Sequence, residues 1–561
     1  KAGFAMACLR VLRYSSHHRG CAPYCGSPCW RLRAEVVGIH RPERLDYRSF
    51  RGAVTCVAGE RLVACGLYDT GETLSSAVQV KRVIVVGGGI AGLAAAHRLV
   101  ERSVQASTPC DLTVLESRSR LGGSIVTQRR DGFLIEGGPD SFITQKPWAM
   151  ALCGRLGIAD QVIPTNPDKR RVYVVRRGRL YPIPEGFLLL APTRIWPFVV
   201  SRLFTWPGKM RMGLDLILRA KGRAPGEDES LADFVRRRFG REALERIAQP
   251  LVGGIYTANP EALSLRATMP RFLELEDRYR SVILGMRRAR AAAPKTSGDS
   301  GARYSMFVSM ADGMDTFTDA LTARLPAGAT RTGVAVTRIE RADNAWRVVL
   351  DDGSIVLSEA VILACPAHAS AKILRSVDAD LADQLATIEY ASSATMTLGF
   401  RREQIRHPLD GFGFVVPVVE GRSIIAGTFG SVKFAGRAPD GCVLMRAFLG
   451  GAVQPDIYEL DDTRLREAVL RDLRELIGVQ GDPLFVELHR WPRSMPQYPV
   501  GHLDRVARIT AQVEQWPGLA LAGNAFGGVG IPDCVQSGES AADRVFDALS
   551  CNTASPAEPR P

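Results

Sequence analysis

From Val80 onward, short apolar runs alternate with stretches of helical period, the pattern of an α/β protein. Val83-Ile84-Val85-Val86 is an unbroken apolar run, as expected of a strand buried on both faces of a parallel sheet. It ends at Gly87-Gly88-Gly89, and Ile90-Ala91-Gly92-Leu93-Ala94-Ala95-Ala96 then predicts a helix. Leu112-Thr113-Val114-Leu115 predicts a second strand, closing at Glu116. Residues 133–136 predict another, running into Gly137-Gly138, and residues 171–182 alternate across Arg177-Gly178 as a hairpin. Over 230–290 the period becomes helical, with Ser230 as an N-cap, Leu231, Phe234, Val235, Phe239 and Leu244 in register, and Gly240 as a break. Residues 291–301 read as a loop, and 303–312 and 332–339 as single strands. Residues 345–365 read as a hairpin around Asp351-Asp352-Gly353, 395–450 as β structure, and 461–477 as an amphipathic helix. Leu519-Ala520-Leu521-Ala522 is a last short strand, ending at Gly523.

The first strand, glycine turn and helix together form G-x-G-x-x-G, and each glycine has a mechanical reason. Gly87 allows the tight turn, Gly89 lets backbone approach a pyrophosphate, and Gly92 lets helix and strand pack closely. Gly88, Ile90 and Ala91 complete the loop, and the helix N-terminus offers free N–H groups to phosphate. Glu116 lies 24 residues beyond Gly92, where a carboxylate can accept hydrogen bonds from a ribose diol. The loop logic recurs near the end of the chain. Gly523-Asn524 is followed by Gly527-Gly528-Val529-Gly530-Ile531-Pro532-Asp533-Cys534 and then a helix.

Composition changes the picture little. The 561 residues exceed one small core, so two or three domains are expected. The net charge of +13 carries no nucleic-acid motif, and Lys and Arg are spread rather than clustered, which favours an acidic lipid or a polycarboxylate substrate over nucleic acid. The 12 cysteines suggest neither a disulfide framework nor a metal site: Cys21, Cys25 and Cys29 are spaced C-x3-C-x3-C, unlike the C-x2-C pieces of zinc and iron–sulfur sites. Residues 1–79, rich in Arg over residues 1–50, are expected to be a poorly ordered extension. Residues 186–220 are apolar and Trp-containing, but Arg194, Arg202, Lys209 and three prolines interrupt them. They therefore do not span a bilayer, and either an interfacial segment or a buried helical core fits.

Glu116-Ser117-Arg118-Ser119-Arg120-Leu121-Gly122-Gly123-Ser124 resembles the E-x-x-x-R-x-G-G extension of FAD-binding oxidases. With Gly137 to Phe142, Gln249 to Tyr256, Pro496-Gln497-Tyr498-Pro499-Val500-Gly501-His502 and Gly523 to Gly538, the chain resembles the protoporphyrinogen oxidase family of amine-oxidase-like flavoproteins, over residues 80–548. The family usually has an acid where Gln249 stands, and Thr257-Ala258-Asn259 also departs from its pattern.

The resemblance implies a Rossmann-like FAD-binding domain built from 80–165, 301–370 and 501–550. A β-rich substrate domain is expected from 166–185 and 371–500, a helical, membrane-associated or substrate domain from 186–300, and a tail at 551–561. It implies non-covalent FAD, because Cys534 lacks the Ser-Gly-Gly-Cys-Tyr context of covalent attachment. Gly122, Gly123, Ser124, Gly138, Pro139, Asp140, Ser141, Val336, Trp491, Gly523, Val529, Gly530, Ile531 and Pro532 join the first loop around FAD, with Ser117 beside Glu116 and Arg120 toward the pyrophosphate. Lys146 is expected to meet a substrate propionate and Phe412 to stack on the tetrapyrrole.

The implied reaction takes six electrons from a porphyrinogen in three flavin steps. Oxygen or another acceptor reoxidises the cofactor, and no catalytic residue is needed beyond the flavin. Protoporphyrinogen IX is the expected substrate, coproporphyrinogen III the alternative, and amine oxidation or carotenoid desaturation more distant ones. A cytoplasmic protein is expected, with peripheral contact on the inner face of the cell membrane and a homodimer both left open.

Overall fold

The computed structural model describes residues 80–188, 190–292 and 307–551, together with two short strands at Cys56–Ala58 and Arg61–Val63 that pair antiparallel. The expectations for the rest of 1–79, for the loop at 291–301 beyond 292, for residues 303–306 and for the tail beyond 551 lie outside the described residues. The chain divides into units 1–75 and 76–561, and the second holds all the remaining described elements.

The second unit opens with β1 (Lys81–Val86), α1 (Ile90–Ala106) and β2 (Cys110–Glu116), then β3 (Thr127–Arg130), β4 (Phe133–Glu136) and α2 (Trp148–Leu156). A hairpin, β5 (Arg171–Arg176) and β6 (Arg179–Pro182), precedes α3 (Ile195–Val200), α4 (Trp206–Gly213), α5 (Leu231–Arg238), α6 (Gln249–Tyr256), α7 (Arg271–Tyr279) and α8 (Val282–Ala292). The chain then supplies β7 (Phe307–Met310), α9 (Asp315–Ala323), β8 (Thr330–Thr332), β9 (Val336–Ala342), β10 (Ala345–Leu350), β11 (Ile355–Ser358), β12 (Ala360–Leu363) and α10 (Ala367–Leu374). Next come β13 (Tyr390–Arg401), β14 (Gly411–Val415), β15 (Ile424–Phe429), β16 (Cys442–Gly450), α11 (Asp462–Ile477) and β17 (Phe485–Pro496). Last are α12 (His502–Val513), β18 (Leu519–Leu521) and α13 (Ile531–Cys551).

Two large sheets organise these elements. A parallel sheet, ordered β8-β2-β1-β12-β18, takes strands from three separate stretches of chain. Apolar side chains of β1, β2, β12 and β18 pack on one face against α1 and α13. The other face packs against β9–β10, α10 and α12. This explains the unbroken apolar runs: both sheet faces are covered. The seven-stranded sheet, ordered β6-β5-β14-β15-β16-β13-β17, buries one face against α11 and supplies Val174, Val415 and Ala426 to a core shared with the helices of 198–286.

Residues 332–339 are a correction. They form the ends of two strands in different sheets, β8 beside β2 and β9 in the β9–β10–β11 sheet. Gly333 has φ 70°, and it turns the chain between them while its N–H bonds Arg118 O.

Candidate active site

The first loop is built from backbone. Gly87, at φ 111°, donates its N–H to Leu115 O (2.7 Å), and Gly88 N–H bonds the Glu116 carboxylate (2.7 Å). Glu116 also accepts Arg118 N–H (2.9 Å) and the Ser117 hydroxyl (3.3 Å), so it shapes both turns around it. A Cβ on Gly92 would collide with Gly87 O, whereas one on Gly89 would meet nothing closer than Gly123 Cα at 3.9 Å. Gly92 therefore serves packing, and Gly89 faces open space. α1 begins after Gly89 with no side-chain cap and no acid in its first turn, which leaves its N-terminal donors for an anion.

The other loops close on this one. Gly122 N–H bonds Gly88 O (2.8 Å), and Gly122 pairs with Gly89 in an isolated parallel bridge. Gly138 packs so tightly on Ser124 O that a Cβ would overlap it. Gly523, at φ 122°, is held by its N–H to Ser537 Oγ (3.0 Å), and both it and Gly527 face open space. Gly538 lets α13 pack on Ala91 O at the start of α1, and Ile90 and Ile531, next to Pro532, join one apolar cluster. Val529 packs against the helical core, and Gly530 turns beside the Asp533 carboxylate. Val336 opens β9 two residues after Val334, whose N–H bonds Glu116 O (3.0 Å). The donors, the bare backbone and the carboxylate suit an extended dinucleotide.

Beneath this cradle lies a polar floor that periodicity does not reveal. The Gly137 carbonyl accepts three donors: Thr395 Oγ1 (2.8 Å), Trp491 Nε1 (3.0 Å) and Arg446 Nη2 (3.1 Å). Trp491 also stacks on His489, which lies against Gly137. Asp140, next to Pro139, pairs with Lys433 (3.0 Å) and accepts the Ser141 hydroxyl (2.7 Å). Burial opposes its charge, but Lys433 and Arg446 outweigh that and hold it well below the usual carboxylate range. Glu136 accepts Met314 N–H (2.9 Å) and the Thr127 hydroxyl (2.8 Å), yet burial pushes its pKa up to about 7. The sequence does carry one signal for Arg446: it is the lone charge within the apolar strand β16.

Arg120 and Lys146 both have partners within the protein. Arg120, expected toward the pyrophosphate, donates to Leu121 O (3.0 Å), Ile125 O (3.0 Å) and Gly123 O (2.6 Å). It braces the Gly122–Gly123 turn, because bent backbone leaves carbonyls that need donors. Lys146, expected against a substrate carboxylate, pairs its ammonium with Asp533 at 2.5 Å and so ties α13's first turn to the region preceding α2. Phe412 is buried at the bulge between Gly411 and Gly413 in the seven-stranded sheet.

Pro496–His502 joins the helices to the sheets. Tyr498 stacks on His502 (4.1 Å) and bonds Asn524 O with its hydroxyl. Its own carbonyl accepts Ser264 N–H (2.8 Å). Burial drives the His502 pKa down to about 4. Gln249, at the departure from the family pattern, accepts Val418 N–H (2.9 Å). Cys534 is buried, and burial with Asp533 pushes its thiol up to about 12, so it stays protonated and a poor nucleophile.

Residues 90–546 match the model of the flavin-containing amine oxidoreductases. The chain belongs to the flavin-containing amine oxidoreductase family. The resemblance read from the glycine loops is borne out, and the protein is an FAD-dependent oxidoreductase of α/β fold. It is 38% identical over 501 residues to a coproporphyrinogen III oxidase of Propionibacterium freudenreichii (84% of this chain, 92% of the relative). It is 32% identical to a chloroplastic protoporphyrinogen oxidase of Oryza sativa (89% and 93%). A solved structure from Exiguobacterium sp. 255-15, provisionally named a protoporphyrinogen oxidase, superposes with TM-score 0.74 at 31% identity (83% and 98%). A putrescine oxidase at 15% identity and TM-score 0.58 shares the fold.

Proposed function

We propose that this protein oxidises a porphyrinogen to a porphyrin in haem synthesis, six electrons in three rounds, with dioxygen as acceptor and hydrogen peroxide as product. The observation that carries this is a set of converging glycine loops, suited to a dinucleotide, in a chain 38% identical, over 84% of its length, to a coproporphyrinogen III oxidase. Bound FAD supplies the hydride acceptor. The chain's residues would bind and orient it: α1 and α13 would give N-terminal donors, Glu116 would take the ribose, and the backbone of Val336 would meet the adenine. Trp491 and the triply bonded Gly137 fix a rigid turn that would line the cofactor. Around that turn, Lys433, Arg437 and Arg446 outnumber Glu136 and Asp140 by one charge when both acids are ionised, which favours negative charge there. Phe412 is the aromatic proposed to meet the macrocycle.

Relatives named for coproporphyrinogen III stand at 34–38% identity and those named for protoporphyrinogen at 29–32%. Coproporphyrinogen III is therefore the substrate to test first. Purified, FAD-loaded protein is mixed in air with coproporphyrinogen III and with protoporphyrinogen IX, and porphyrin fluorescence is followed with oxygen uptake. Fluorescence growing with either supports the reading, and the faster one names the substrate. Bound flavin with no fluorescence from either sinks it.

The protein is also proposed to touch membranes peripherally. Trp196 (74% exposed), Met210 (73%) and Ile217 (70%) stand out with Ile195, Val200 and Trp206 on the short segments around α3 and α4. No helix among the described residues is long and apolar enough to cross a bilayer. Cosedimentation with anionic vesicles, lost on Trp196→Ser with Trp206→Ser, tests this.

A further inference from the structure

A groove of about 360 Å³ is lined by His368, Ala371, Lys372, Arg375, Ala386 and Arg493. Its charged walls are all basic. Arg375 has a partner in Asp383 (2.7 Å), whose carboxylate is itself exposed. Lys372 and Arg493 form no ion pair among the described residues, and the buried Nδ1 of His368 has no hydrogen-bond partner. Burial, then Arg493 and Lys372, lower the His368 pKa, as expected for a ring held beside two cations.

The fold sets Arg493 in the groove at a local cost. On β13, Ala391 pairs with Met495 and Ser393 with Trp491, so residues 492–494 oppose Ser392 alone. Bulges of this kind redirect side chains. Arg493 takes φ 43°, a left-handed conformation disfavoured for a long L side chain, and its N–H is held by Ser392 Oγ at 3.0 Å. Lys372 comes from α10 on the cofactor sheet, 121 positions earlier in the chain. Two cations brought together from distant segments repel one another, and an anion between them removes that cost.

We propose that this groove binds a small polyanion, of the pyrophosphate or tricarboxylate kind, held by Arg493 and Lys372 with His368 as a further donor. A planar guanidinium and a point-charge ammonium suit closely spaced oxygens. The site does not depend on which substrate the flavin oxidises.

The test is calorimetric titration of the FAD-loaded full chain, at low salt, with inorganic pyrophosphate and separately with citrate. Loading with FAD keeps the cofactor's own phosphate site out of the measurement. Saturable binding of one or both is expected, weakened about tenfold by Arg493→Gln and again by Lys372→Gln. The absorbance spectrum of the bound flavin should be unchanged in both variants, which shows that the fold and cradle persist. The tighter of the two anions tells phosphate from carboxylate. No saturable heat with either, or binding undiminished in the double variant, overturns the proposal.

Discussion

The glycine cradle and the charged centre of the helical region solve opposite problems. The cradle is made by leaving side chains out: Gly87, Gly89, Gly92 and Gly123 let backbone meet backbone and leave space for a ligand. The helical region is made by putting charges in. Arg238 bonds Asp215 Oδ1 (2.6 Å) and the carbonyls of Arg219, Asp215 and Arg280, and both Arg238 and Asp215 are buried. Asp215 also accepts Ser281 Oγ (2.6 Å) and Ile283 N–H (2.9 Å), while Glu276 gathers Arg223, Arg237 and Lys221 N–H. An empty cradle costs little stability and does nothing without its cofactor. A buried network does nothing but hold shape, and it does so only while every member is present.

Breaking the network should give the largest effect. Arg238→Ala strands the Asp215 carboxylate without a counterion and should cost about 3–5 kcal/mol in denaturant unfolding. Asp215→Leu with Arg238→Met should cost less than Arg238→Ala alone, since no charge is left unpaired. A double variant worse than the single would show that these groups do more than satisfy one another.

In the cradle the effect should move from stability to binding. Gly89→Ala should leave the melting of the FAD-free protein within about 0.5 kcal/mol of the parent, since its Cβ meets open space and its φ is not left-handed. FAD affinity should nonetheless fall on the order of a hundredfold, about 2.7 kcal/mol. Gly92→Ala should damage both, because its Cβ meets Gly87 O. Equal losses of fold and FAD in the two variants would erase the distinction between packing and cradle glycines.

The polar floor joins the two kinds of construction, and pH separates them. Glu136 has a folded pKa of about 7 against an ordinary value of 4.5, so its contribution is present in full below 4.5 and is lost as pH rises through 7. Glu276 runs the other way. Burial opposes its charge, but Arg237 and Arg223 bring it to about 2, so its contribution is present above 4.5 and is lost as pH falls toward 2. Glu136→Gln should flatten the stability curve between about pH 4.5 and 7 and stabilise the protein above pH 7 by up to ~3 kcal/mol. An unchanged slope in urea unfolding across that window would place the titration elsewhere.

Legibility in the sequence divides along the same contrast. Gly87 to Gly92, Glu116 to Gly123 and the Gly523 loop are local patterns, since a turn and a helix start need only neighbouring residues. The strands around them are legible because buried parallel strands carry unbroken apolar runs. Arg446 and Thr395 meeting at Gly137 O cannot be read, because β4, β13 and β16 converge only through sheet topology. The local partners of Arg120 are hidden for a related reason. Its spacing says nothing of the three carbonyls that the glycine turn leaves for it to bond.

Lys146 offers the smallest and most discriminating test, because it is both tied to the first turn of α13 and the residue expected to meet a substrate carboxylate. Its side chain is 40% exposed and its partner Asp533 only 8%, so the pair is worth about 1 kcal/mol or less in stability. Asp533 lies beside Gly528 and Gly530 in the first turn of α13, where a carboxylate is favoured by the helix end even without Lys146. Lys146→Gln should therefore barely move unfolding. If the ammonium also reaches a substrate carboxylate, KM for the porphyrinogen should rise several-fold while FAD affinity holds. If Lys146 serves only the loop, FAD affinity should fall by a similar factor while KM holds, because losing the tie loosens Asp533 and the turn before it. Fluorescence kinetics over a substrate series, paired with FAD titration of the same variant, reads both quantities from one preparation and assigns the charge to cofactor or substrate.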